Sequence, residues 1–139
     1  GVKLRNLTPP DFKAYFGNGY VTTRAFLDDN KDVLEGFGRA LVRGVKFGID
    51  PANREATLQH AQMGNPQQLE DKEFESALLD IYFDLTTPLD PTKGYGYQNP
   101  VAWQQWQSTL VAAGDLKQPL DNLEQAYTNE FIEKWNAPR

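Results

Sequence analysis

Acidic side chains recur at helical spacing in the middle of the chain, and paired carboxylates are a common basis of acid–base or metal chemistry. Asp80 and Asp84 are four residues apart, and Glu73 precedes them on the same predicted helix. The apolar residues of this segment form a face of their own, so the carboxylates lie beside it or opposite to it. We interpret them as a solvated helix surface rather than as a catalytic pair.

Other residue types that carry chemistry are sparse. His60 is the only histidine and there is no cysteine, so the sequence offers neither a nucleophile–base pair nor a zinc ligand set. Trp103 and Trp106 occur at helical spacing with Leu110, which favours core packing over a stacking platform for a ligand. The motifs GxSxG, HExxH, CxxC and GxxxxGK[ST] do not occur. We therefore predict no enzyme activity, no metal site and no bound cofactor.

Charge and hydropathy exclude two further classes. The chain of 139 residues has 14 Lys and Arg against 19 Asp and Glu, a formal net charge of -5. It therefore lacks the basic surface that neutralises phosphates, and we expect no nucleic-acid partner. No apolar run approaches the roughly 20 residues that span a bilayer. The first residues also lack the uninterrupted apolar segment of a signal peptide.

Apolar periodicity and capping residues predict a series of helices that would position these side chains. The predicted helices span residues 24–28, 31–48, 51–63, 69–85, 100–113 and 128–135. The predicted buried stripe of the second helix is Val33, Phe37, Leu41 and Val45. The predicted buried stripe of the fourth helix is Phe74, Ala77, Leu78, Ile81, Tyr82 and Leu85. Four glycines in the second helix, which disfavour helix formation, indicate that another backbone approaches it closely.

Two extended segments precede the helices. Residues 2–4 form a possible short strand, and residues 15–22 form a second one with a Gly17-Asn18-Gly19 turn inside it. A two-stranded ribbon is only marginally stable alone. We therefore expect the second strand to belong to a sheet whose other strands lie outside this chain, with the helices as a cover layer.

Three stretches occur in a fixed order along the chain: GYVTTRAFLDDNKDVLEGFGRALVRGVKFG, KGYGYQNPVAWQQWQSTLVAAGDL and YTNEFIEKW. As a set, they resemble the C-terminal part of the ABC-importer substrate-binding proteins for nitrate, sulfonates, taurine and thiamine-pyrimidine precursors. The resemblance covers about Tyr15 to Trp135. It implies a mainly α segment of a two-lobed α/β type II periplasmic-binding-protein fold. Residues 1–22 would be an extended hinge segment from the second lobe, and residues 23–139 a helical segment that packs on the first lobe.

The same resemblance implies a function. Such a protein binds a small solute between its lobes and delivers it to a membrane permease, as a periplasmic or lipid-anchored protein whose export signal would lie upstream. Its partners would be the solute, the permease and the remainder of its own two-lobed protein. Tyr15, Asn18 and Tyr20 would lie nearest the cleft, where phenols and an amide contact the solute. Packing of the tyrosines and a left-handed turn at Asn18 are the alternatives, and the sequence does not identify the solute.

Two other classes stay open at this point. Relatives of the same fold include pyrimidine-synthesising enzymes, and a stand-alone helical interaction domain would need no further chain. The stand-alone domain predicts no large exposed apolar surface. A segment of a larger protein predicts an exposed surface at Phe37, Leu41 and Val45.

Overall fold

The computed structural model describes residues 5, 7–9, 12, 15–66 and 71–138, and within these ranges the regular structure is entirely helical. The α-helices are α1 (Arg24–Asp29), α2 (Lys31–Ile49), α3 (Arg54–Gly64), α4 (Lys72–Thr86), α5 (Pro100–Ala113) and α6 (Ile132–Asn136). Short 3-10 turns occur at Pro51–Asn53 and Leu123–Ala126.

The predicted α/β fold is wrong. Residues 16–22 form no regular structure, no backbone hydrogen bond joins them to the rest of the described chain, and the Gly17-Asn18-Gly19 turn is not formed. A strand requires a neighbour for its backbone N–H and C=O groups, and β-type residues alone do not supply one. The possible strand at residues 2–4 lies outside the described residues. The described chain is a helical assembly, so the two-lobed type II fold with its hinge strand is not supported.

The central helices begin and end close to the predicted positions because their capping chemistry is formed. The Asp71 carboxylate accepts a hydrogen bond from the Phe74 N–H at 3.0 Å, and the Asn99 side chain accepts from the Val101 N–H at 2.9 Å. Gly114 ends α5 in the left-handed conformation, with φ of 85°. Residues 67–70, where the fourth helix was expected to begin, lie outside the described residues. The last helix begins at Ile132, four residues later than predicted.

The long helix α2 is the centre of the fold and contacts α1, α3, α4 and α6. Two of its glycines are buried beneath aromatic rings: Trp135 covers Gly38, and Phe83 covers Gly48. The prediction that another backbone approaches this helix closely is therefore wrong. Aromatic side chains, not backbone, lie against Gly38 and Gly48. Gly36 and Gly44 have no atom within 4 Å of an added Cβ.

Trp135 is held from several sides. Its indole Nε1 donates a hydrogen bond to the Leu34 carbonyl at 3.1 Å, and its ring stacks on Phe131 with 5.6 Å between centroids. A Cβ added at Gly96 would lie 3.0 Å from the same ring. The indole therefore packs on Gly38 of α2 and also on Gly96, in the loop between α4 and α5.

The loop between α4 and α5 is tied to the C-terminal segment by two asparagine side chains. Asn136 accepts from the Tyr95 N–H at 2.9 Å and donates to the Tyr95 carbonyl at 3.0 Å. Asn129 makes the same pair of bonds with Gln98, at 2.8 and 2.9 Å. Each asparagine amide thus pairs with both the backbone N–H and the backbone C=O of one loop residue, as a neighbouring strand would do.

The predicted apolar faces have the predicted spacing but largely face outward. On α2 the buried positions are Gly38, Val42 and Gly48, whereas Phe37 is 45% exposed. On α4 every residue of the predicted buried stripe is exposed, and Leu79, Phe83 and Thr86 face inward instead. Periodicity identifies residues that share a face, but it does not say which neighbour covers that face.

The core is small for the length of the chain. Six apolar side chains are buried among the described residues: Leu27, Val42, Leu58, Ala102, Phe131 and Ile132. The accessible surface of the chain is 10977 Å², whereas a compact monomer of this mass exposes about 7,300 Å². The fold is therefore open and leaves much of its apolar surface in contact with solvent.

Candidate ligand-binding groove

An open apolar groove runs between α2 and α4 and encloses a volume of about 400 Å³. This volume falls within the range of about 300 to 1,000 Å³ that is typical of small-molecule sites. We call it the α2–α4 groove, and its lining residues are Phe37, Ala40, Leu41, Gly44, Val45, Tyr82 and Phe83.

The helical spacing of α2 produces one wall of the groove. Phe37, Leu41 and Val45 follow one another at intervals of four, so their side chains lie in a row along the helix. Gly44 lies within this wall and has no atom within 4 Å of an added Cβ. The absence of a side chain at Gly44 therefore keeps part of the groove open.

Aromatic rings dominate the other walls. The Tyr82 and Phe83 rings meet at 5.6 Å between centroids, and the Tyr20 ring contacts the edge of Phe37 at 5.1 Å and 86°. Offset and edge-to-face contacts with a flat aromatic ligand suit such rings. The hydroxyls of Tyr20 and Tyr82 form no hydrogen bond within the described chain, which leaves them free to bind polar atoms at the edge of a ligand.

The structure separates the three residues that the resemblance placed at a ligand cleft. Tyr20 is 77% exposed and lies at the rim of the α2–α4 groove, against Phe37. Asn18 is exposed, and its side chain makes no hydrogen bond with the described residues. Tyr15 lies elsewhere: its hydroxyl shares a hydrogen bond of 3.0 Å with the Thr109 hydroxyl, and its ring contacts Trp106. Packing, the alternative for the tyrosines, describes Tyr15 but not Tyr20.

The sequence predicts core packing for both Trp103 and Trp106; Trp103 is half-buried, whereas Trp106 contacts Tyr15 and Phe16 but is exposed. The Trp103 ring lies 4.5 Å from Phe16 and stacks on Tyr127 at 5.2 Å between centroids. Its Nε1 donates a hydrogen bond to the Gln98 side chain at 3.0 Å. These contacts occupy the ring, so this cluster is a structural support for the loop and the segment that precede α5.

The polar candidates occupy the surface. Asp80 forms an ion pair with Arg54, and the exposed His60 ring lies 6.2 Å from Phe47. Within the described ranges, no group of three His, Cys, Asp or Glu side chains is arranged to hold a metal ion. No helix in the described part of the chain is long and apolar enough to cross a membrane.

Two exposed carboxylates have lowered pKa values for local reasons. A hydrogen bond and the charge of Lys72, with Nζ and Oε2 2.6 Å apart, lower the pKa of Glu55. Hydrogen bonds from the Thr92 hydroxyl at 2.6 Å and the Thr92 N–H at 3.0 Å lower the pKa of Asp90. Both effects favour the ionised form of the carboxylate.

The lowered pKa of Asp90 predicts a change in acid stability. Its contribution to stability is present above its ordinary pKa of 3.8 and is lost as the pH falls through the lower pKa of the folded state. We expect Asp90→Asn to flatten the decrease in stability below this pH, measured by urea unfolding across about pH 2 to 5. The control is Asp28→Asn, at an exposed aspartate whose carboxylate accepts no hydrogen bond from the described residues. An unchanged slope for Asp90→Asn would contradict the assignment.

Comparison with known proteins gives one informative similarity. The chain is 28% identical over 134 residues to the riboflavin-binding protein RibY of Chloroflexus aurantiacus, a match that covers 95% of this chain and 37% of RibY. The chain therefore spans little more than a third of the length of this curated relative. No family model matches the chain, and no solved structure matches it significantly.

Proposed function

We propose that this chain is part of a solute-binding protein and that the α2–α4 groove binds a flat aromatic solute. The observation that carries the proposal is an open groove with aromatic walls, in a chain of which 95% is similar to a protein named for riboflavin binding. Size, apolar lining and a few free hydroxyls at the rim are the usual features of such a site.

Riboflavin or a related flavin is the solute class that we propose. Its isoalloxazine ring system is flat, with one apolar edge and one edge rich in hydrogen-bonding atoms, and it carries a polar ribityl chain. The apolar part of the ring would contact Phe37 and Tyr82, and each aromatic contact is worth about 0.5 to 1.5 kcal/mol beyond the burial of area. The Tyr20 hydroxyl would bind the polar edge from the rim.

We further propose that this binding is a step in the import of the solute. The solute would be captured outside the cytoplasm, by a periplasmic or lipid-anchored protein, and delivered to the permease of an ABC importer. The resemblance of three ordered sequence stretches to substrate-binding components of such importers supports this role. Binding alone suffices for it, so no covalent step is needed, and release follows when the permease favours a state of lower affinity.

The groove is tested most directly by filling it. Gly44→Leu places a side chain in the open space of the groove without meeting other atoms at its Cβ, so the helix is retained. We expect the wild-type chain to quench riboflavin fluorescence on binding, and Gly44→Leu to weaken the affinity at least tenfold, which corresponds to about 1.4 kcal/mol. Fluorescence titration of purified protein measures both.

The matched control is Gly36→Leu, the same substitution in the same helix at a position that also has no atom within 4 Å of an added Cβ and does not line the groove. It should bind riboflavin as the wild type does. Equal affinities for all three proteins would place the flavin outside the α2–α4 groove. Absence of binding by the wild type, with other flat aromatic solutes also inactive, would count against the proposed solute class.

A further inference from the structure

Helix α4 is apolar on two opposite sides. Leu79 and Phe83 face the interior, and Phe83 covers Gly48 of α2. Four large apolar side chains at helical spacing form the other side, which we call the outward face of α4: Phe74, Leu78, Ile81 and Leu85. A helix with apolar residues on both sides is characteristic of a buried position rather than of a protein surface.

The outward face is open over its whole length. Its four side chains are between 43% and 78% exposed, and Tyr82 continues the apolar surface towards the α2–α4 groove. Exposed apolar residues are ordinary when they are scattered, but a continuous apolar row along a helix marks an interaction surface.

The total surface leads to the same conclusion. The chain exposes 10977 Å², about 3,700 Å² more than expected for a compact monomer of its mass. A standard protein interface removes about 800 Å² from each partner. The excess is therefore large enough for an extensive interface, of the kind found between parts of one folded protein.

The charges around the outward face argue against a second copy as the occupant. Glu73 and Asp84 lie along one side of the face, and neither forms an ion pair with a described cation. A symmetric contact between two α4 helices would bring these acidic rows together, in a chain with a formal net charge of -5. Like charges at such an interface oppose association.

We propose that the outward face of α4 packs against polypeptide of the same protein outside these 139 residues. The similar riboflavin-binding protein is long enough to supply such polypeptide, since the match covers only 37% of it. The surface area, the two-sided helix and the acidic border support this occupant. The inference does not require that the α2–α4 groove bind a solute, and its test is made without ligand.

The absence of cysteine allows a direct test by chemical labelling. Leu78→Cys places a single thiol on the outward face, and Glu73→Cys places one on the acidic side of the same helix. Each variant is prepared both in the 139-residue chain and in the product of its entire reading frame. Maleimide labelling rates are then compared at several protein concentrations, with circular dichroism to verify helix content. Phe74→Cys replaces Leu78→Cys if the latter loses helix content.

The expected result is at least a tenfold slower labelling of Leu78→Cys in the product of the entire reading frame than in the 139-residue chain, with Glu73→Cys labelled at the same rate in both. Equal rates for Leu78→Cys in the two contexts would overturn the inference. Slow, concentration-dependent labelling of Leu78→Cys in the 139-residue chain would also overturn it, because a second copy would then cover the face. A reading frame that encodes no further polypeptide would overturn it as well.

Discussion

Substituting Gly38 with alanine is expected to lower the free energy of unfolding by about 2 kcal/mol. The added Cβ would overlap the Trp135 ring, and overpacking of this kind costs about 1 to 3 kcal/mol, or more where neighbours cannot move. Trp135 has little freedom to move, since its Nε1 is bonded to the Leu34 carbonyl and its ring stacks on Phe131. The gain in helix propensity of about 1 kcal/mol offsets only part of this cost.

Gly36→Ala is the matched control in the same helix. An added Cβ at Gly36 meets no atom within 4 Å, so we expect this variant to be more stable than the wild type by about 1 kcal/mol. Urea unfolding followed by circular dichroism gives both values. If the two alanine variants had equal stability, the packing of Trp135 on Gly38 would not be a constraint on the fold.

The second large effect is expected from Asn136→Leu. The Asn136 amide makes three hydrogen bonds in a half-buried position, with the N–H and carbonyl of Tyr95 and with the Ile132 carbonyl, at 2.9 to 3.0 Å. Leucine leaves the Tyr95 groups without partners, and each buried group left unpaired costs about 1 to 3 kcal/mol. We expect a loss of about 3 kcal/mol in the free energy of unfolding.

A local measurement separates this effect from a general loss of packing. Hydrogen exchange at the Tyr95 amide should accelerate in Asn136→Leu even under conditions in which the rest of the chain is folded. Asn122→Leu is the control, because the Asn122 side chain is exposed and forms no hydrogen bond within the described chain. Unaltered exchange at Tyr95 would show that the amide does not hold the loop.

The helices were predictable because local chemistry determines them. The Asp71 and Asn99 caps and the left-handed Gly114 mark helix ends through contacts with residues close in sequence. The prediction from residue type failed at residues 16–22, where β-type residues form no strand and no partner strand is present among the described residues. Strand formation depends on a distant neighbour, which a local pattern does not contain.

The orientation of the helices was not predictable for the same reason. Phe37 lies on an apolar stripe that helical periodicity identifies, yet the ring that covers α2 comes from Trp135, near the other end of the chain. On α4, apolar residues lie on both sides, and the stripe with the clearer spacing is the exposed one. Glycine was the one available signal for the packing face, since Gly38 and Gly48 are the buried positions of α2 that admit aromatic rings.

The candidate site was predicted only in part. Tyr20 lies at the α2–α4 groove because the chain runs from Phe16, which packs on Trp103 of α5, to α2, where Phe37 provides the contact. Tyr15 and Tyr20 are only five residues apart, yet Tyr15 contacts Trp106 of α5 and Tyr20 contacts Phe37 of α2. The residue type alone does not predict this separation. Gly44, Tyr82 and Phe83 were missed as site residues because a groove between two helices exists only after the helices have packed.

The packing of Trp135 on α2 also sets the order of folding during synthesis. The indole and the Leu34 carbonyl that it binds are 101 positions apart in the sequence. At about 5 to 20 residues per second, α2 emerges roughly 5 to 20 s before this ring is available to cover Gly38. The whole chain between Leu34 and Trp135 must then be brought together before the indole reaches the carbonyl. The contact therefore forms late and slowly. During that interval Gly38 is uncovered, so a chain whose synthesis ends before Trp135 has a central helix without its main cover.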